Sequence, residues 1–349
     1  MIEALARVVR PTLAFDLARV DANMQRIAAA AHAHDIRALF AAKSFPHPRV
    51  LELAANRLDG FDVASPGELA TVPAGAIVSV ADPTGAAITT GARARMIVAC
   101  ETIGQVCAAP RGAEIAIRIS ASITGLDPAM GAVLDGSGHR RSRFGLDDRA
   151  SVAALRDAAA GRRVGLHVHH GPVTATSAGR FIATARAAIE LADFEPAFID
   201  LGGAWHGIAD LAEAFAAIRA ALPRSIEVIV EPGRAYADGA GFACGIVRAA
   251  RSLGDREVRV VDLSRACHLR WSTFELVARA PHPGRGRRVL VVGPTCYEED
   301  VLGEWTLEPG ALELDDRMIV RGISGYALAW NTGFGGVEPA DVVLRDGVH

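Results

Sequence analysis

No apolar run in this sequence approaches the length of a membrane span, and the first residues, MIEALARVVRPTLAFDL, lack the layout of a secretory leader. Blocks of like charge are missing too. The 37 basic and 40 acidic residues are interspersed and leave a net charge of −3, which offers no basic surface to nucleic acid or to an anionic membrane. Cysteine is scarce: Cys100, Cys107, Cys244, Cys267 and Cys296 form no C-x-x-C or metal-ligand spacing, and their odd number argues against a disulfide framework. These absences lead to the expectation of a reduced, cytoplasmic protein with at most one cysteine of chemical interest.

What is present is material for a large core: 349 residues, half of them hydrophobic, enough for a large domain and a smaller one. The stretch FAAKSFPHPRVLELAANRLDGFDVASPGEL, residues 40–69, organises the rest. Its small, apolar opening reads as a strand buried on both faces, and Lys43 stands where that strand stops. A lysine there is costly unless neutral or bonded, and a desolvated lysine amine is the usual nucleophile toward a carbonyl. A helix over Pro48–Arg57 and a second strand over Gly60–Ala64 follow, the latter delivering Asp62. That is one βαβ unit with two reactive groups on one edge.

The alternation continues. Val20, Met24, Ile27 and Ala31 recur at helical spacing, helices are expected from Pro66 and from Pro83, and strands fall near residues 40, 62, 78, 97, 117, 167, 199 and 229. Eight such units predict a (β/α)8 barrel, in which chemistry gathers at the carboxyl ends of the strands, where Lys43, Asp62, Arg118, His169, Gly203, Glu231 and Arg234 stand. One connection, Ala121–Asp147, breaks the rhythm; it carries GSGHRRSRFGL and is long enough to be functional or mobile. Past residue 240 the pattern turns to strand-like runs, REVRVVDL, RRVLVVG, EWTLEP and DRMIVRG, separated by turn residues. The expected domains are a barrel over residues 12–240 and an all-β domain over 241–349, a sandwich or barrel that residues 1–11 join.

Nine segments, AAKS, GFDVASPGEL, IRIS, SRFGL, GLHVHHG, DLGG, VEPGR, GPTCYEED and GYALAWNTGF, occur in an order that resembles the fold-type III pyridoxal-phosphate-dependent decarboxylases, the ornithine/diaminopimelate decarboxylase family. The resemblance covers nearly the whole chain. It implies an alanine-racemase-like barrel followed by a β-domain, pyridoxal 5'-phosphate as cofactor, and decarboxylation of an amino acid. Lys43 would hold the cofactor as a Schiff base. Glu231 would pair with the pyridine nitrogen and strengthen the electron sink; its plainer alternative is to cap the turn at Gly233. Gly202, Gly203, Gly233 and Arg234 resemble phosphate ligands, joined by Tyr326 from the β-domain, and His169 resembles the imidazole that stacks on the ring. Asp62 and Arg118 resemble supporting groups around Lys43. In this family the loop bearing Cys296 comes from the other subunit and its thiol returns a proton to the substrate carbon; Asp300 would contact substrate or cofactor. A shared-site homodimer follows.

Departures from the family pattern bear on the substrate. Ser44–Phe45 follows Lys43 in place of Ala-Asn, Pro172 stands where many members carry a phosphate-binding serine, Ala204 replaces the third glycine of GGG, and Gly335 replaces the asparagine after the last Phe. Tyr297 occupies the position at which ornithine- and diaminopimelate-type members carry an acid for the distal amine. Tyr297 cannot form that ion pair, whereas Glu298 or Glu299 can. With Trp330 available to wall a larger side chain, the substrate is expected to be an unusual amino acid or amino-acid-bearing intermediate of polyamine or specialised metabolism. Other readings are a metal-dependent hydrolase, because His167 and His169 project to one side of a strand, a racemase on the same barrel, and a non-catalytic cofactor-binding homologue. The first leaves Lys43, EPGR and Cys296 without roles, and the GPTC loop argues against the second.

Overall fold

The computed structural model describes residues 1–89, 93–124, 133–134, 140–169, 178–277 and 286–347. Strand β1 (Thr12–Asp16) is followed in order by β2 (Ile36–Ala41), β3 (Gly60–Val63), β4 (Ile77–Val80), β5 (Arg95–Cys100), β6 (Glu114–Ile119), the short pair β7 (Val133–Leu134) and β8 (Arg140–Arg141), then β9 (Val164–Val168), β10 (Phe198–Asp200) and β11 (Glu227–Val230). Eight of these, β2 to β6 and β9 to β11, close into a parallel barrel, each within a few residues of its expected position. The helix over Leu17–His32 buries Val20, Met24, Ile27 and Ala31 completely, as their spacing requires.

One expected helix is absent. Between β4 and β5 the described chain makes only a 3-10 turn, Ala86–Thr89. The Asp82 carboxylate captures the backbone N–H groups of Thr84 and Ala87 and the Thr84 hydroxyl, and Gly85 takes a left-handed φ of +73°, so the donors a helix would use are already engaged. Within the long connection, 3-10 residues Ala121–Thr124 and the β7–β8 ribbon are described, while 125–132 and 135–139 lie outside the described residues, as does Pro172.

The barrel interior follows from period-two alternation. Leu39, Ile97, Ala116, Phe198 and Ile229 form a buried cluster with Ile77 against it. Gly60 and Gly165 make room for it: a Cβ at Gly60 would lie 2.2 Å from the Ile77 carbonyl oxygen, and one at Gly165 would lie 2.5 Å from the Phe198 ring. Two residues earlier along the same strands stand Arg37, Arg95, Glu114 and Glu227; two residues later stand Ala41, Arg118, Asp200 and Glu231. The barrel thus holds a charged layer at its amino end, an apolar layer in the middle and a polar layer at its carboxyl end.

The chain divides into two compact units. The barrel unit is Asn23–Lys43 and Pro48–Tyr236; the β-rich unit is Met1–Ala22, Ser44–His47 and Ala237–His349. The amino-terminal contribution to the β-rich unit therefore runs past residue 11. The reason is β1, which pairs antiparallel with β12 (Gly241–Leu253) and parallel with β18 (Asp341–Arg345). The sheet continues through β13 (Arg256–Val261), β14 (Glu275–Leu276), β15 (Arg287–Val292), β16 (Val301–Leu307) and β17 (Arg317–Arg321), in the order β14-β17-β12-β13-β15-β16. Met1, Leu5, Ala14, Cys244 and Ile319 form one of its cores. Among the described residues, no helix is long and apolar enough to cross a membrane.

Candidate active site

Sheet register assembles the carboxyl-end layer. Arg118 pairs in register with His167, and His167 with Asp200, so β6, β9 and β10 present these three side chains in one row. Ala41, Asp62 and Ser79 form the matching row on β2, β3 and β4. Lys43 follows β2 in a 3-10 turn, Ala42–Ser44, and its amine donates to Asp62 Oδ2. His169, Gly202–Gly203 and Glu231 follow the ends of β9, β10 and β11. Each sits where the chain leaves its strand, with the Glu231 N–H still bonded to the Gly202 carbonyl at 2.8 Å.

Burial dominates the electrostatics of this layer. Burial, and next the charge of Glu231, push Asp62 up to about 7 despite Lys43. Burial drives the His169 imidazole down to about 3 and lowers His167 as well, so both rings are neutral at neutral pH. Burial also lowers the Arg118 guanidinium, against the pull of Glu101 at 3.5 Å; it remains a cation, lying 4.4 Å over the Phe144 ring. Two carboxylates split. Burial raises Asp200 well above its ordinary range, with Glu231 adding to the rise. Glu231 would be raised by burial too, but His167 and Lys43 hold it well below the usual range, as an anion.

Several buried polar atoms here have no hydrogen-bond partner among the described residues: Asp62 Oδ1, Glu231 Oε1 and both ring nitrogens of His167. His167 Nε2 and Glu231 Oε2 are 3.7 Å apart, beyond hydrogen-bond reach. Buried atoms left this way are costly unless a ligand meets them. Beside them, Gly202 at φ +61° and Gly203 hug His169: a Cβ on Gly202 would lie 2.6 Å from His169 Nδ1, while the Gly203 N–H donates to that nitrogen at 3.2 Å. Half-buried Arg234, next to Gly233, forms no ion pair with a described residue. An amine, an unpaired carboxylate oxygen, a neutral imidazole, backbone glycines and an unpaired guanidinium match the needs of pyridoxal phosphate, which has an aldehyde, a ring nitrogen, a ring face and a phosphate. His167, Asp200 and Glu231 also bring possible metal-ligand atoms within 4.8 Å of one another, but that grouping gives Lys43 and Arg234 no work.

The remaining expected site residues lie in the β-rich unit. Cys296, Tyr297 and Glu298 are exposed on the loop between β15 and β16. The Tyr297 hydroxyl donates to Glu299 Oε2 at 2.8 Å, which engages that acid, and Glu298 has no partner among the described residues. Asp300 differs from expectation. It is buried, and its carboxylate accepts from the Ser264 hydroxyl (3.0 Å), the N–H groups of Arg265 (2.8 Å) and Ala266 (3.2 Å), and the Thr295 hydroxyl (2.8 Å). With both oxygens engaged it pins the Cys296 loop to the sheet. Tyr326 is half-buried in the turn Gly325–Leu328. Its ring meets Trp271 edge-on at 5.2 Å, Trp271 meets Trp330 at 5.3 Å, and Arg270 lies 4.4 Å over Trp330. Sequence reasoning did not single out Asp200 or Ser79; the signal for Asp200 is its place at the head of DLGG, at the end of a buried strand.

A family model described as the pyridoxal-binding domain of the pyridoxal-dependent decarboxylases matches residues 17–238. No curated protein matches the sequence. Solved structures with the same fold include lysine/ornithine decarboxylase from Vibrio vulnificus complexed with cadaverine (TM-score 0.77, 19% identity, 99% of this chain and 98% of that one). Arginine decarboxylase of Paramecium bursaria Chlorella virus (0.77, 17%, 99% and 98%) and diaminopimelate decarboxylase from Helicobacter pylori complexed with L-lysine (0.77, 17%, 100% and 95%) are similar in the same way. At these identities the structures speak for the fold. The family match spans well over half of the chain, and with the barrel-end constellation it makes this chain a member of the pyridoxal-dependent decarboxylases, carboxy-lyases that work with pyridoxal 5'-phosphate.

Proposed function

We propose that this chain decarboxylates an amino acid, or a molecule bearing one, at the carboxyl-end face of its barrel, with Lys43 as the covalent anchor of the cofactor. The observation that carries the reading is the bonded Lys43–Asp62 pair in the same buried layer as the unpaired Oε1 of Glu231. Pyridoxal phosphate, when bound, supplies the electron sink that makes loss of CO2 from the substrate Cα feasible. Asp62 orients the Lys43 amine and, with its pKa near 7, takes up or releases a proton there. Anionic Glu231 would meet the cofactor's ring nitrogen, and neutral His169 would hold its ring. Arg234, with the backbone of Gly202, Gly203 and Gly233, would hold the phosphate. Arg118 offsets the carboxylates. Cys296 returns a proton to Cα after CO2 leaves, serving the barrel of the other subunit in a homodimer.

The loop around Cys296 favours a substrate unlike ornithine or diaminopimelate. Tyr297 occupies the acid's position and ties up Glu299, so Glu298 is the acid left to meet a substrate amine. Trp330, grouped with Trp271, suits a bulkier side chain. The test is incubation of the holoenzyme with basic, acidic and conjugated amino acids, measuring CO2 release and product mass. CO2 with the matching amine from one class is expected. Racemised substrate with no CO2 would overturn the proposal.

A further inference from the structure

Behind Glu231 lies a second carboxylate that the reading above leaves idle. Asp200 is fully buried at the end of β10. Its Oδ1 accepts the Gly202 N–H at 2.9 Å, and its Oδ2 has the Ser79 hydroxyl at 3.4 Å. One of its oxygens, one of Glu231 and one ring nitrogen of His167 lie within 4.8 Å of one another. The charged and titratable groups around the pair are Asp62 on β3, Lys43 past β2, Arg118 on β6, His167 on β9 and His169 just past it. Lys43 is bonded to Asp62 and Arg118 is paired with Glu101, and neither cation has a described hydrogen bond to Asp200 or Glu231. Two buried carboxylates without a bonded cation do not both ionise; the pair shares a proton.

We propose that Asp200 is a positioning residue that keeps this proton on Oδ2 and donates it to Glu231, so that the pair carries one negative charge and Glu231 Oε1 is left for the cofactor's ring nitrogen. Asp200 is the protonated partner because its Oδ1 already accepts the Gly202 N–H, which leaves Oδ2 for the proton. Burial raises Asp200 well above its ordinary range, whereas His167 and Lys43 hold Glu231 below its own. The arrangement fixes the side chain of Glu231 and prevents a second negative charge from over-stabilising the protonated ring. It rests on Glu231 serving the ring nitrogen, as proposed above.

The test uses the full-length protein with and without cofactor. Infrared difference spectra of wild type minus D200N should contain the C=O stretch of a protonated carboxylic acid, in the cofactor-free protein as well. D200N, which keeps the shape and a donor toward Glu231, should bind added pyridoxal phosphate within about threefold of wild type, whereas D200A, which strands Glu231, should lose about tenfold or more and shift the visible absorption band. Absence of the protonated-acid stretch, or D200N behaving like D200A, would overturn the proposal. A visible band indifferent to E231Q would remove the reading of Glu231, and with it the role of Asp200 toward the ring, while the infrared result would still locate the proton.

Discussion

The two ends of the barrel hold similar numbers of charged groups under opposite rules. At the amino end every charge is met. Arg95 forks onto Glu114 and Glu227 through four bonds of 2.8–2.9 Å, Arg163 bridges the same two acids at 2.6 and 2.9 Å, and Arg37 bonds Glu227 and approaches Asp59. Burial alone would raise Glu227, yet Arg95, Arg37 and Arg163 hold it down at about 2. At the carboxyl end, burial wins instead: Asp62 rises to about 7, His169 falls to about 3, and several buried oxygens and nitrogens lack partners among the described residues. The amino end closes the barrel and stabilises it, whereas the carboxyl end keeps a deficit that a ligand can fill. Polar content alone does not mark a site; unfilled hydrogen-bonding capacity does.

This contrast can be broken from either side. The largest effect expected is at Lys43: Lys43→Ala should abolish CO2 release, a loss of about 10⁴-fold or more. Residual turnover near wild type would end the distinction. Removing Glu227 should do the converse. Glu227→Ala leaves Arg37, Arg95 and Arg163 short of a partner and should cost about 2–4 kcal/mol in denaturant unfolding while leaving kcat at permissive temperature nearly intact. Cys296→Ala should slow turnover about 100-fold or divert the proton step to another product, without altering cofactor absorbance; an unchanged rate and product would remove the thiol from the mechanism.

Two smaller effects sharpen the picture. Asp62 has a folded pKa of about 7 against a reference value of 3.8, so between these values the native state binds more protons than the unfolded one. Its contribution to stability therefore falls as pH rises through that window, and the cofactor-free wild type should lose stability relative to Asp62→Asn from pH 4 to 7. A flat difference would place Asp62 outside the buried layer. Last, Ala204 adopts φ +74°, where the family has glycine. Ala204→Gly should stabilise the protein by about 0.5–1 kcal/mol, the left-handed penalty on alanine less the extra chain entropy of glycine.

Much of this was legible in the residues, for physical reasons. Barrel strands buried on both faces read as short apolar runs, and their spacing placed Lys43, Asp62, His169 and Glu231 at one end. Other features depend on contacts that a sequence does not display. The Asp82 side chain competes for backbone donors only once folded, so Pro83 looks like a helix start. Strand β1 looks like the opening of the barrel until its pairing with β12 and β18 is seen. Asp300 sits at the right spacing from Cys296, but spacing cannot reveal that Ser264 and Thr295 consume its oxygens. Asp200 is hidden in DLGG because an aspartate before glycines reads as a turn residue.

The central claim is a covalent bond between one amine and one aldehyde, and borohydride reduction of the holoenzyme followed by peptide mass mapping tests it most directly. The account predicts loss of the visible band and a single pyridoxyl mass increment on the peptide carrying Lys43. Protein that takes up no cofactor, or an increment on any other lysine, would contradict it.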